Sequence, residues 1–123
     1  MPPKVRGPIG LTVWKYRSSG WLVVDASYSR LVGDQVSLAQ VILRIDQSSH
    51  VLVLRKCPFT AMGADDATPD ITEWSLVDIA DVDGSGQPDI ILEADAYEDH
   101  WFEVLSVHAG KSETLFSGLG YYL

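Results

Sequence analysis

The sequence predicts an all-β protein made of two four-stranded antiparallel meanders. Eight short apolar runs, many of them rich in Val, Ile and aromatic residues, are separated by turns that contain Gly, Ser, Pro or Asp. Most connections are short, which is typical of hairpins and therefore of antiparallel pairing. Each blade-like meander alone would expose an apolar face, so we expect the two sheets to pack together as a sandwich or an open barrel.

The first meander is predicted over residues 11–57. Two apolar runs joined by a Ser-Ser-Gly turn form its first hairpin, and a loop over 29–35 follows. Residues 36–46 are ambiguous, because some apolar positions have helical spacing, whereas the β-branched composition favours a strand. We predict a strand there, and we expect Pro58 to end the last strand. The predicted strands are 11–16, 21–28, 36–46 and 51–56.

A polar connector over 58–73 leads to the second meander. It is rich in Gly, Asp, Thr and Pro, and it is long for a compact domain. We treat residues 1–123 as a single domain with two sub-sheets, 11–57 and 74–123. The strands predicted in the second sub-sheet are 74–80, 90–96, 101–108 and 112–116, and an aromatic tail follows them.

Charge is distributed unevenly along the chain. The formal net charge is −8, which argues against nucleic-acid phosphate as a partner. Residues 1–62 hold eight basic and three acidic residues, a net charge of +5, whereas residues 63–123 hold one basic and fourteen acidic residues, a net charge of −13. The two halves attract each other, and a bound divalent cation would neutralise part of the acidic excess.

The sequence shows no segment of the kind that spans a membrane. No apolar run approaches the length of about 20 residues that a spanning helix needs. The N-terminal residues have no apolar core of the kind found in signal peptides. Cys57 is the single cysteine, so we expect no internal disulfide and no cysteine-based metal cluster, and we expect its side chain to pack in the interior.

The most informative stretch is the loop from Asp81 to Asp89. Oxygen-bearing side chains stand at its first, third, fifth and ninth positions, and the seventh residue can add a backbone carbonyl. Calcium takes six to eight oxygen ligands at roughly 2.3–2.6 Å, and alternating positions of a tight loop supply them. The alternative is a surface turn whose Asp and Ser side chains cap their own backbone. The predicted Ca²⁺ ligands are Asp81, Asp83, Ser85, Gln87 and Asp89.

An EF-hand does not fit this loop. That motif needs a bidentate Glu at its twelfth position, and counting from Asp81 places Leu92 there. The flanking segments are short and β-branched, so they indicate strands rather than the amphipathic helices of an EF-hand. The loop therefore joins one strand to another.

A strand–loop–strand unit of this kind resembles the calcium loops of FG-GAP and VCBS repeats, known from integrin-type β-propeller blades. The matching residues run from Ile79 to Leu92, and the resemblance covers one blade, residues 74–123. It implies that the same five residues hold a structural cation, and it implies an extracellular or periplasmic location. Ser85 stands where Asp is commoner in the family.

An acidic, aromatic turn at 97–101 provides an alternative function. Its side chains could bind a small molecule or a carbohydrate. Carboxylates around the turn could instead serve a hydrolase, although their spacing fixes no catalytic pair, and the sequence has no phosphate loop or nucleophile elbow. The residues of this alternative ligand site are Tyr97, Glu98, Asp99, His100 and Trp101.

The sequence favours a non-enzymatic β module with one structural Ca²⁺, acting in protein–protein interaction or self-association. In the strand 101–108, alternation places two apolar side chains on one face and three apolar side chains on the other. One face covers the first sheet, and the other can meet a protein partner or a second copy in a homodimer. The two sets are Phe102 and Val104, and Trp101, Leu105 and Val107.

Overall fold

The computed structural model describes residues 9–16, 20–62, 72–96, 99–108 and 110–122. In these ranges the chain forms strands and turns and contains no helix, so the all-β prediction is confirmed, including the strand at 36–46. The strands are β1 (Ile9–Lys15), β2 (Leu22–Val32), β3 (Gln35–Ile45), β4 (Val51–Met62), β5 (Thr72–Ala80), β6 (Asp89–Ala96), β7 (Asp99–His108) and β8 (Lys111–Tyr122).

The strands form two antiparallel four-stranded sheets in which neighbours in sequence are neighbours in space. The first sheet has the order β1-β2-β3-β4 and the second has the order β5-β6-β7-β8. The sheets do not close into a barrel, since no strand of one sheet pairs with a strand of the other among the described residues. The prediction of two packed four-stranded meanders is therefore confirmed, and the two sheets stay separate.

One apolar core lies between the inner faces of the two sheets. Ile42 in the first sheet and Ile90 in the second are fully buried. Burying each such side chain contributes about 1.5–3 kcal/mol, so the contact between the sheets stabilises the fold. The core residues are Trp21, Val23, Ile42 and Leu54 from the first sheet, and Trp74, Ile90, Leu92, Ala94 and Leu105 from the second. The single cysteine, Cys57, is buried as expected.

A bulge in β4 directs an ion pair into this interface. The register between β3 and β4 shifts between Ile42 and Leu43, which leaves Leu54 as the extra residue. A bulge can aim two consecutive side chains at the same face of a sheet. Leu54 is buried in the core, and Arg55 beside it reaches the second sheet to bind Glu103. The bulge therefore explains how a charged residue that follows a core residue is directed to the same face and is half-buried there.

The ion pair between Arg55 and Glu103 is extensively hydrogen-bonded. The guanidinium donates to Glu103 Oε1 from Nε at 3.2 Å and from Nη2 at 2.5 Å, and it lies over the Trp74 ring, 5.3 Å from the centroid. Trp101 Nε1 donates to the other carboxylate oxygen at 2.8 Å. Both oxygens of Glu103 thus have donors, which offsets the cost of burying the charge.

Gln40 makes a second polar link between the sheets. Its Nε2 donates to the Trp74 carbonyl at 2.5 Å, and its Oε1 accepts from the Trp74 amide at 2.8 Å. The same Nε2 also donates to Asp25 Oδ1 at 3.0 Å. The β5 edge would otherwise present unpaired backbone groups there, so Gln40 fixes the position of β5 against the first sheet.

Some predicted boundaries in the first meander are wrong. The predicted loop 29–35 is a two-residue turn, because β2 continues to Val32 and β3 begins at Gln35. Gly33 has a φ of 58°, as expected for the first central residue of a type II′ turn. The polar residues after Tyr28 had suggested a loop, but they occupy the exposed end of a long hairpin.

Pro58 does not end β4, which runs to Met62. The β4 strand is an edge of the first sheet, and the register with β3 shifts between Leu38 and Gln40, where Pro58 lies opposite. A missing backbone N–H is tolerated at an edge and at a bulge.

Boundaries in the second half also differ from those predicted. The ends of the predicted connector 58–73 belong to β4 and β5, and residues 63–71 lie outside the described residues. The predicted aromatic tail belongs to β8, which extends to Tyr122 with register shifts against β7. Those shifts accommodate a strand that contains two glycines, Gly118 and Gly120. No helix in the described part of the chain is long and apolar enough to cross a membrane.

Candidate metal centre

The candidate site is the connection between β5 and β6. These strands pair in antiparallel register up to Ala80 and Asp89, so the loop between them starts and ends at one edge of a hydrogen-bonded ladder. A hairpin needs only about two loop residues to reverse its direction, as the turn at Gly33 shows. The additional residues of the loop 81–88 are therefore available to arrange side chains rather than merely to turn the chain.

The loop backbone is shaped by glycines and by its own carboxylates. Gly84 and Gly86 have φ angles of 74° and 85°, in the left-handed region that favours glycine. Asp81 accepts the Ser85 amide at 3.1 Å through Oδ1 and the Gly86 amide at 2.9 Å through Oδ2. These bonds reach amides four and five residues further along the chain, and they draw the loop around the Asp81 carboxylate.

Ser85 and Gln87 are held in the same turn. Ser85 Oγ lies 3.4 Å from the Gln87 carbonyl oxygen, and it accepts the Gln87 amide at 3.3 Å. The Ser85 amide also donates to Asp83 Oδ1 at 3.0 Å. Hydrogen bonds from the Ser85 hydroxyl, and then from its amide, hold the pKa of the exposed Asp83 carboxyl below its ordinary value. Asp83 is therefore ionised and available to a cation.

Asp89 differs from the other carboxylates of the loop because it is buried, with only 1% of its surface exposed. Its Oδ2 accepts the Val82 amide at 3.0 Å, whereas its buried Oδ1 has no hydrogen-bond partner among the described residues. Burial is the first cause that raises the pKa of Asp89, and the charge on Asp83 raises it further, against the lowering effect of the Val82 amide. An ionised Asp89 thus needs a positive partner.

Asp81, Asp83 and Asp89 come together into one cluster. Each offers a carboxylate oxygen, and these oxygens all lie within 4.8 Å of one another. Oxygens bound to one Ca²⁺ at roughly 2.3–2.6 Å are separated by at most about 5 Å, so the cluster has the dimensions of a calcium ligand set. None of the ion pairs found among the described residues involves these carboxylates. The cluster can hold a metal ion, which would balance its charge.

Sequence reasoning did not identify the surroundings of Asp89. Ile90 pairs with Leu105, so alternation places Asp89 and Ser106 at neighbouring positions on the outer side of the second sheet. Ser106 is also buried, and its hydroxyl is hydrogen-bonded to His108 Nε2. The register of β6 against β7 sets this neighbourhood, and no local sequence signal reveals it.

The predicted ligand site at 97–101 is divided between two faces. Tyr97 and Glu98 lie outside the described residues, and Asp99 begins β7. His100 points to the outer face, where its Nε2 lies 2.7 Å from a Glu93 carboxylate oxygen.

Trp101 points to the core, where it lies edge-on to Trp74 with ring centroids 6.1 Å apart. Its indole N–H is already bonded to Glu103. The structure therefore keeps Trp101 away from His100, and ligand binding at the turn stays a prediction.

Comparisons with known proteins identify no relative. Neither models of protein families, nor curated proteins, nor solved structures gave a match to this chain. The resemblance to FG-GAP and VCBS repeats thus depends on the loop sequence and its flanking strands. The geometry of the three carboxylates supports a metal site without reference to any relative.

Proposed function

We propose that this chain is a non-enzymatic calcium-binding β module that acts in protein–protein interaction or self-association. The observation that carries the metal part is Asp89, a buried carboxylate with one oxygen lacking a partner, beside two further carboxylates. A buried charge without a partner is strongly destabilising, and a bound cation would satisfy it. The family resemblance of the loop points to the same ligand.

The donor set favours Ca²⁺ over other cations. The loop offers carboxylates, a hydroxyl and backbone carbonyls, all of them oxygen donors, and it contains no His or Cys. Oxygen-only sets suit Ca²⁺ and Mg²⁺, whereas zinc and copper prefer nitrogen and sulfur. Mg²⁺ requires near-octahedral geometry at shorter distances, which a loop held by its own amides adopts less readily. Asp81 and Asp83 are exposed, so water can complete the coordination of the larger ion.

A cation here would be structural. It would join Asp89, which begins β6, to Asp81, which follows β5, and so fix the end of the hairpin. It would also neutralise part of the net charge of −13 that follows from one basic and fourteen acidic residues in 63–123. A ligand that binds only the folded state raises the free energy of unfolding, by about 2.7 kcal/mol at a hundredfold excess over its Kd.

Thermal melts test this proposal. The protein is melted with chelator, with excess Ca²⁺ and with the same concentration of Mg²⁺. For a domain of this size, a gain of about 2.7 kcal/mol raises the Tm by roughly 8–15 °C. We expect that rise with Ca²⁺ and a smaller one with Mg²⁺. Identical Tm values with Ca²⁺ and with chelator would contradict a structural calcium site.

A further inference from the structure

The outer face of the first sheet is apolar across all four of its strands. Register and alternation place these side chains on the face that points away from the second sheet. Charged side chains of this face lie at its margins: Lys15 and Lys56 on the edge strands β1 and β4, and Arg30 on β2, beyond Tyr28, the last β2 residue that pairs with β1. The apolar residues of this outer face are Ile9, Leu11 and Val13; Leu22, Val24, Ala26 and Tyr28; Ala39, Val41, Leu43 and Ile45; and Val51 and Val53.

No segment among the described residues covers this face. The exposed fraction is 68% for Ile9, 67% for Leu11 and 58% for Val51, and the side chains of the two central strands are half-buried. Toward the Ile9 end of the face, a hollow of about 300 Å³ is walled in part by Ala26 and Ala39. These small residues beside bulkier neighbours give the face relief that a second apolar surface can fill.

The sequence of these strands is that of a sheet covered on both sides. An antiparallel sheet with one solvated face shows apolar and polar residues in alternation, whereas strands buried on both faces show continuous apolar runs. The central strands here have such runs, Leu22 to Val24 in β2 and Val41 to Leu43 in β3. The second sheet covers the inner side of these runs, and no described segment covers the outer side.

We infer that the partner is a second copy of this chain, docked through the same outer face to form a two-fold homodimer. Because the interior of the face carries no charge, a partner needs no complementary charges, and an identical apolar face suffices. In the alternative head-to-tail arrangement, this face would meet the outer face of the second sheet. That packing would bury Glu93 and Asp95 against aliphatic side chains, which is costly. Isologous pairing leaves Lys15, Arg30 and Lys56 at the rim.

The size of the face agrees with a weak, specific dimer. Four strands about 4.8 Å apart, over about seven residues at about 3.3 Å each, give a flat footprint of about 400 Å² per copy. The accessible area of a pleated surface exceeds its flat footprint. Two copies therefore bury an area near the lower limit of about 1,200 Å² for specific interfaces, the size class in which weak and transient complexes are found.

This inference rests on the self-association part of the proposed function, and it is independent of the loop 81–88. Sedimentation velocity is measured between about 2 and 200 µM, the range over which a micromolar Kd changes the dimer fraction. Each series is run with chelator and with Ca²⁺. Dimerisation without a calcium effect on stability would then contradict the metal site alone, and a calcium effect without dimerisation would contradict the dimer alone.

Substitution of three valines of nearly equal exposure tests where the interface lies. Val13 on β1 and Val53 on β4 are 50% and 49% exposed on the outer face, and Val77 on the second sheet is 51% exposed. Val13→Glu and Val53→Glu should each raise the dimer Kd at least about tenfold, because each buries a carboxylate against an apolar surface. Val77→Glu makes the same chemical change at nearly the same exposure and should leave the Kd unchanged. A Tm within a few degrees of the wild type, about 3 °C, shows that a variant is folded.

Several results would overturn the inference. A wild type that stays monomeric at about 200 µM would contradict it, including one that instead binds lipid vesicles or another protein through this face. Species that grow beyond a dimer as the concentration rises would indicate head-to-tail assembly. Equal weakening by all three substitutions would place the interface elsewhere. If Val13→Glu does not fold, Val53→Glu on the opposite edge strand decides the question.

Discussion

Two buried carboxylates in the second half of the chain, Glu103 and Asp89, have opposite surroundings. Glu103 is 9% exposed, and each of its oxygens has a donor, from Arg55 on one side and from Trp101 on the other. Asp89 is 1% exposed, and one of its oxygens has no donor. The residues near it that carry charge, Asp81 and Asp83, are of the same sign.

The two carboxylates differ in whether the protein itself supplies a positive partner. The Arg55–Glu103 pair neutralises itself and joins the two sheets without help from any ligand. The Asp89 cluster concentrates negative charge at the end of a hairpin and lacks a counter-charge among the described residues. A calcium ion would do for Asp89 what Arg55 does for Glu103.

We expect the largest change in the free energy of unfolding when one partner of the Arg55–Glu103 ion pair is removed. Glu103→Ala leaves the half-buried Arg55 guanidinium without its counter-charge and removes the acceptor of the Trp101 indole. Removing one partner of a buried ion pair costs about 3–5 kcal/mol. We expect a loss of that size in the free energy of unfolding, measured by urea titration with chelator.

Ca²⁺ serves as the control for this variant. The gain in stability on adding Ca²⁺ should be the same in Glu103→Ala as in the wild type, because the loop is unchanged. An effect of Glu103→Ala below about 1 kcal/mol would show that the pair contributes no more than an exposed ion pair. The contrast between the two carboxylates would then fail.

With chelator, a substitution at Asp89 should raise the free energy of unfolding, whereas Glu103→Ala lowers it. With chelator, Asp89→Asn removes a buried charge, keeps an oxygen for the Val82 amide, and adds an amide that can donate to a neighbouring carboxylate. We expect it to raise the free energy of unfolding by about 1–3 kcal/mol. With excess Ca²⁺ the order should reverse, because the wild type gains the cation and the variant does not. If the variant is less stable than the wild type under both conditions, Asp89 is satisfied without a cation.

The pH dependence of stability gives a second comparison of the wild type with Asp89→Asn. The folded-state pKa of Asp89 is raised, first by burial, so its stabilising contribution is present below the ordinary carboxyl pKa of about 3.9 and is lost as pH rises through the raised value. With chelator, the stability of the wild type relative to Asp89→Asn should therefore fall as pH rises from about 4, and then level off.

The contribution of Asp83 to stability should change with pH in the opposite direction to that of Asp89. Its lowered pKa contributes stability that is present above the ordinary pKa and is lost as pH falls, but its exposure keeps that contribution small. Ca²⁺ binding needs ionised carboxylates, so the calcium-dependent gain should grow with pH. Urea titrations of both proteins across this pH range provide the measurement. A difference between the two proteins that does not vary with pH would contradict the raised pKa of Asp89.

The fold was largely predictable because its determinants are local. Apolar runs bounded by Gly, Ser and Pro predict strands, and the short connections predict hairpins. The misplaced boundaries depend on non-local facts. Pro58 is tolerated because β4 is a sheet edge, which the sequence of β4 does not reveal. The polar end of the β2–β3 hairpin resembled a loop because exposed strands and loops share a composition.

The candidate site was predictable only in part. The alternation of oxygen-bearing residues pointed to Asp81, Asp83 and Asp89, which the structure brings together. Burial of Asp89 depends on the packing of β6 against β7, which local spacing does not encode. The pairing of Arg55 with Glu103 likewise requires a bulge and two sheets to meet across 48 residues of sequence.

Direct calorimetric titration of Ca²⁺ into the chelator-treated protein is the sharpest test of the loop. Asp89→Asn serves as the test variant. Asp95→Asn makes the same charge change at an exposed position near the other end of β6 and serves as the control. We predict one Ca²⁺ per wild-type chain, unchanged binding by Asp95→Asn, and loss of at least about 1.4 kcal/mol, or tenfold in affinity, in Asp89→Asn. Absence of binding heat and of any Tm shift in the wild type, or equal binding by all three proteins, would contradict a calcium site built on Asp89.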